Sequence, residues 1–84
     1  MPEEPRPVEV HLFAAARAAA GVDTLLVPAG TLTQVCAALV RQSPRLGEVL
    51  PRCSLLVDGV SAHDDGGHVA PGSRVDVLPP FAGG

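Results

Sequence analysis

Apolar and polar residues alternate strictly at two places, one near each end of the chain. Val8, Val10 and Leu12 alternate with Glu9 and His11, and Val75 and Val77 alternate with Arg74, Asp76 and Leu78. A period of two puts every second side chain on one face, so each stretch predicts a strand whose valines look into a core. Between them the period changes. From Thr31 onward, Leu32, Val35, Cys36, Leu39 and Val40 recur at helical spacing while Thr33, Gln34, Arg41 and Gln42 lie off that stripe. This predicts an amphipathic helix with Cys36 on its buried face. Thr31, with Gln34 three residues on, reads as a capping box, and Pro44 ends the helix.

Shorter signals fill the remainder. Ala14 to Ala20 is almost all alanine and is followed by Gly21, which predicts a helical turn closed by a left-handed residue. Thr24 to Val27 is apolar, opens on a β-branched residue and is punctuated by Pro28-Ala29-Gly30, as expected for a second strand antiparallel to the first. Arg45 to Leu50 offers one further helical turn. Ser54 to Val57 reads as a strand closed by Asp58-Gly59, with Val60 starting a very short return strand. Val69 to Ser73 reads as a turn centred on Pro71-Gly72. Strands and helices do not alternate regularly, so the fold class is α+β, a small mixed sheet packed on one main helix. The opposite sheet face keeps apolar positions, Leu56 and Leu78, that are expected to meet a partner. Residues 1–7 form a flexible N-terminal segment, 8–78 a single domain, and 79–84 a projecting tail.

Composition narrows the function. The 84 residues carry a net charge of −3, with six arginines and no lysine, and only 2% are aromatic. Nothing supplies the basic patch or stacking rings of a nucleic-acid binder, and no polybasic membrane patch is present. No apolar run spans a bilayer and no signal layout opens the chain, so a cytoplasmic protein is expected. Cys36 and Cys53 have neither disulfide nor zinc spacing and are expected as reduced structural thiols. Two histidines and two aspartates fall between His63 and His68. Paired glycines among them argue for a surface turn, so no metal is assigned. No nucleophile stands beside a base at readable spacing, which argues against an enzyme acting alone.

The tail carries the remaining chemistry. Pro79 and Pro80 lack N–H groups and fix φ, so the last strand cannot continue through them and a stiff stem should follow. Beyond Pro80, four residues reach about 13 Å at roughly 3.3 Å each. Gly83 and Gly84, without Cβ atoms, suit a slot too narrow for other residues.

The chain resembles the small sulfur-carrier proteins of the ubiquitin-like β-grasp superfamily, and within them the small subunit of molybdopterin synthase. The resemblance covers Val8 to Gly84. It rests on the first strand with Phe13-Ala14-Ala15-Ala16-Arg17 and Gly21, the Thr31-capped helix, Leu56-Val57-Asp58-Gly59, the Pro71-Gly72 turn, and above all Leu78-Pro79-Pro80-Phe81-Ala82-Gly83-Gly84. Asp58 stands where that family often has Asn, and Ser73 where it often has an acidic residue. The resemblance implies a β-grasp fold and a Gly84 carboxylate that is adenylated with ATP and then converted to a thiocarboxylate. Sulfur would pass to cyclic pyranopterin monophosphate in molybdenum cofactor biosynthesis. It also implies three partners: the large synthase subunit, an ATP-dependent activating enzyme and a sulfurtransferase. No cofactor would be bound by this chain. Gly84 would carry sulfur, Gly83 would fit the channel with Ala82 before it, Phe81 would fill an apolar pocket, and Pro79 and Pro80 would set direction. Carriers for thiamine or cysteine biosynthesis share this chemistry. A ubiquitin-like interaction module with an unactivated terminus is the reading from another class.

Overall fold

The computed structural model describes residues 6–62 and 67–79. Strand β1 (Val8–Leu12) leads into helix α1 (Ala14–Ala20), β2 (Thr24–Val27), β3 (Gly30–Thr31) and the main helix α2 (Leu32–Gln42). After α3 (Leu46–Val49) and a 3-10 turn (Leu50–Arg52) come β4 (Ser54–Val57), β5 (Val60–Ala62), β6 (His68–Val69) and β7 (Arg74–Leu78). Five strands form one mixed sheet in the order β2-β1-β7-β4-β5, with β1 and β7 parallel and the other neighbours antiparallel. β7, the last strand in sequence, is the central one. That arrangement, with α2 packed on one face, is the β-grasp architecture.

Alternation does what it predicts. Val8, Val10, Leu12, Val75 and Val77 are all essentially inaccessible and share a core with Leu32, Val35 and Leu39 of α2. Among the described residues, aliphatic packing builds this core without a ring in it. The capping box is present in both directions: the Gln34 N–H donates to Thr31 Oγ1 at 3.1 Å, and the Thr31 N–H donates to Gln34 Oε1 at 2.9 Å. A Cβ at Gly30 would collide with that same Gln34 carboxamide, so glycine there makes room for the cap. The Leu32 N–H, another unpaired donor of the first helical turn, donates to the Gly67 carbonyl at 2.7 Å. Gly21 closes α1 in the left-handed region at φ 77, as its position implies.

Three expectations change. Cys36 is half-buried rather than inside the core, and Ala38 takes a buried place instead. Cys36 and Val40 pack against the edge of the buried set Leu32, Val35, Ala38 and Leu39. Those two also border an open groove of about 620 Å³ running between α2, the 3-10 turn and the β4–β5 edge. Second, Gly30–Thr31 is more than punctuation. It pairs antiparallel with His68–Val69 as a separate two-stranded sheet. Third, Val69 is accordingly not the start of a turn but a strand residue, 1% exposed and in the core. Of the His63 to His68 loop, His63–Gly66 lies outside the described residues. Among the described residues no group of three potential metal ligands occurs.

Candidate functional site

β7 positions the site. Its ladder with β4 ends at the pair Ser54–Leu78, and its ladder with β1 at Leu12–Val77. Pro79, exposed, is the first residue beyond. β7 is held on both sides, and a proline directly after it cannot extend the ladder. Of the residues expected to act, Leu56, Leu78 and Pro79 fall within the described residues. Pro80, Phe81, Ala82, Gly83 and Gly84 lie outside them.

Register assigns the face that surrounds this exit. Inward-facing Val75 and Val77 alternate with Arg74, Asp76 and Leu78, which therefore share the face opposite α2 with Glu9, His11, Leu56 and Leu26. Leu56 lies opposite Asp76, and Leu78 opposite Ser54. Both leucines are half-buried. Phe13, the next off-phase residue after His11, comes level with Leu78, and its N–H donates to the Val77 carbonyl at 3.2 Å. At 38% exposure for Phe13 and 52% for Leu26, two further apolar side chains stand on this face. Neither was singled out by sequence reasoning. Carrying the alternation Glu9, His11 one step further would have found Phe13.

The middle of the face is polar. Arg74 Nε donates to Asp76 Oδ1 at 2.8 Å, and His11 Nε2 lies 3.1 Å from Glu9 Oε1. In the parallel ladder Glu9 is beside Arg74, and His11 beside Asp76, so two carboxylates and two nitrogen-bearing side chains form one cluster. Such exposed pairs contribute little to stability. They give the face a charge pattern, with apolar Phe13, Leu78 and Leu56 on the side nearest the chain exit.

One turn locks β7 to β4 at the far end. Asp58 and Gly59 both have positive φ, 49 and 83, which is the backbone of a two-residue type I′ hairpin. Asp58 and Arg74 then exchange bonds: the Arg74 N–H donates to Asp58 Oδ1 at 2.9 Å, and the Asp58 N–H donates to the Arg74 carbonyl at 2.8 Å. The Arg74 N–H first, and the Ser73 hydroxyl second, hold the Asp58 carboxyl below its ordinary value. Asp58 and Ser73, the two places where the sequence departs from the family's usual residues, therefore meet.

No disulfide joins the two cysteines. Cys53 donates its thiol hydrogen to the Val49 carbonyl at 3.3 Å, and burial pushes that thiol above its ordinary pKa, which disfavours the nucleophilic thiolate. Both line the groove beside α2 with Ala37, Gly47 and Ala62. Among the described residues no helix is long and apolar enough to cross a membrane.

Comparisons with known proteins agree with this geometry. Small archaeal modifier protein 1 from Haloferax volcanii superposes with a TM-score of 0.80 at 28% identity, over 93% of this chain and 99% of that one. Subunit 1 of a molybdopterin converting factor from Pyrococcus furiosus gives 0.78 at 23% identity, over 90% and 99%. Subunit 1 in the Helicobacter pylori complex of subunits 1 and 2 of that factor gives 0.68 at 22%, over 93% and 99%. These last two show the fold alone. No curated protein matches in sequence. The ThiS family matches residues 10–84, nearly the whole chain and the entire tail, so the protein belongs to the ThiS family of small β-grasp sulfur carriers and ubiquitin-like modifiers.

Proposed function

We propose that the protein is the sulfur-carrying small subunit of a molybdopterin synthase. The observation that carries this reading is the exit of the chain from β7, the central strand, at Pro79, toward a Pro-Phe-Ala-Gly-Gly end. A rigid strand aims the terminus, and glycines let it enter a partner. An oxygen of the Gly84 carboxylate attacks the α-phosphorus of ATP, pyrophosphate leaves, and an acyl-adenylate results. Sulfide sulfur from a sulfurtransferase then attacks the acyl carbon and AMP leaves, giving the thiocarboxylate. The large subunit receives this end, and two deliveries convert cyclic pyranopterin monophosphate to its dithiolene. Phe81 fills an apolar pocket of that subunit. Leu78, Leu56 and Phe13 meet its surface around the exit, which fits the pairing of subunits 1 and 2 in the Helicobacter pylori complex.

Incubation with an activating enzyme, ATP and a sulfur source, followed by intact-mass measurement, should show one oxygen replaced by one sulfur. The charged protein should then yield dithiolene with a large synthase subunit; charging without product would sink the molybdenum assignment and favour a thiamine or cysteine pathway. A second reading, a protein modifier, is favoured by the likeness to the Haloferax volcanii modifier. It predicts amide-linked adducts on other proteins when the same charged protein is added to an extract.

A further inference from the structure

The most unusual chemical feature outside the tail is what the surface uses for positive charge. All six cationic side chains are arginines, Arg6, Arg17, Arg41, Arg45, Arg52 and Arg74, and every one is exposed. The 84 residues hold no lysine. Exposed cations on a small domain serve solubility and charge balance, tasks at which lysine and arginine are equivalent. As acyl acceptors they differ. A lysine ammonium gives up a proton to become a nucleophilic amine and is the usual site of acyl modification, whereas a guanidinium stays protonated and does not. The difference matters for a protein whose own terminus becomes an acylating agent, because each other copy of the carrier is a potential acceptor.

We infer that the lysine-free surface leaves this carrier no side-chain amine for its own activated terminus to acylate, so that the activated Gly84 carboxyl passes to sulfur or to a foreign amine and carriers do not link side chain to tail into branched chains. The inference rests on the proposed activation of Gly84. In the excluded reaction an ε-amine nitrogen would attack the acyl carbon of the adenylate. A C–N bond would form, the bond from carbon to the phosphate oxygen would break, AMP would leave and the nitrogen would lose a proton. The other side-chain nucleophiles do not replace lysine. Cys36 and Cys53 are half-buried along the α2 groove, and the Cys53 thiol already donates to Val49. For the modifier reading the consequence is specific: an adduct on another protein carries no second copy of this chain joined through a side chain of the first.

The experiment compares the natural protein with the double variant Arg17→Lys, Arg45→Lys. Both residues are exposed and neither belongs to β7, and each change keeps the charge. Each protein is incubated in excess with the activating enzyme and ATP, without a sulfur source, and analysed by intact mass and peptide sequencing. A parallel arm contains hydroxylamine, which traps the adenylate as a hydroxamate. The expected result is hydroxamate from both proteins and side-chain-linked carrier dimers from the variant alone, with the new amide at one of its two substituted positions. A side-chain-linked dimer of the natural protein overturns the inference, as does a variant that forms hydroxamate and stays monomeric. Absence of hydroxamate from both proteins instead overturns the carrier reading and the inference with it.

Discussion

The two faces of β7 are built from the same five residues and are put to opposite uses. Val75 and Val77 are sealed against α2 and share a core in which, among the described residues, every large side chain is Leu or Val. Arg74, Asp76 and Leu78 point the other way, into a charged cluster that gives way to apolar residues at the chain exit. The inner face is satisfied by shape alone, since aliphatic side chains need only fill volume. The outer face has partners left to find. Damage to one face should therefore be separable from damage to the other.

The largest separation comes from pairing two changes. Leu39, fully buried on α2, belongs to the core on the inner side of the sheet. Leu39→Ala should cost about 2–5 kcal/mol by leaving a cavity in a small core, lowering the thermal midpoint while the folded fraction still charges at Gly84. Appending one residue after Gly84 should do the reverse: an unchanged melting curve and no sulfur gain by mass. If the extended protein charged normally, the outer-face account of function would be wrong.

Next in size is the apolar exit patch. Leu78→Asp, tested with Leu56→Asp, should lower affinity for a large synthase subunit by at least about fivefold, as loss of a central apolar contact costs upwards of about 1 kcal/mol. Calorimetric titration measures it. Unaltered affinity in both would move the docking surface away from this face. On the inner side, Thr31→Ala should cost about 1 kcal/mol through the lost cap of α2, read by chemical denaturation, with charging intact.

How much of this contrast was legible beforehand depends on the length of each pattern. β1, β7 and α2 run five to eleven residues, long enough for their periods to declare a buried side. β3 and β6 have two residues each, and two residues carry no period. Their pairing exists because Gly30 and Val69 are brought together by everything around them. Cys36 fails differently. Periodicity gives a stripe around a helix axis but not where neighbours stand, and here the β4–β5 edge leaves the Cys36 shoulder open as a groove. Phe13 was overlooked because the helical alanines after it drew attention from its place in the strand phase. The exit at Pro79 was readable, since a proline that ends a strand is a local constraint. The proposed reactive end is argued from its residue types and lies outside the described residues.

The smallest expected effect tests whether the far turn belongs to the scaffold or to the outer face. Asp58 is fully exposed, so its bonds to the Arg74 N–H and the Ser73 hydroxyl are screened by water, and only a direction follows. Its folded pKa lies below the unfolded one. The ionised carboxylate therefore binds its proton more weakly in the folded state, and Asp58 adds stability above the ordinary carboxylate value. That contribution fades as pH falls through the folded pKa. Asp58→Asn keeps an acceptor oxygen for the Arg74 N–H but removes the titration. Thermal melts of the two proteins should differ slightly at neutral pH and converge at strongly acidic pH. Melts that coincided at every pH would show that the residue acts through its left-handed backbone at φ 49, which Asn adopts as readily, rather than through its charge. In either case charging at Gly84 should be unaffected, because the turn lies at the opposite end of β7 from Pro79.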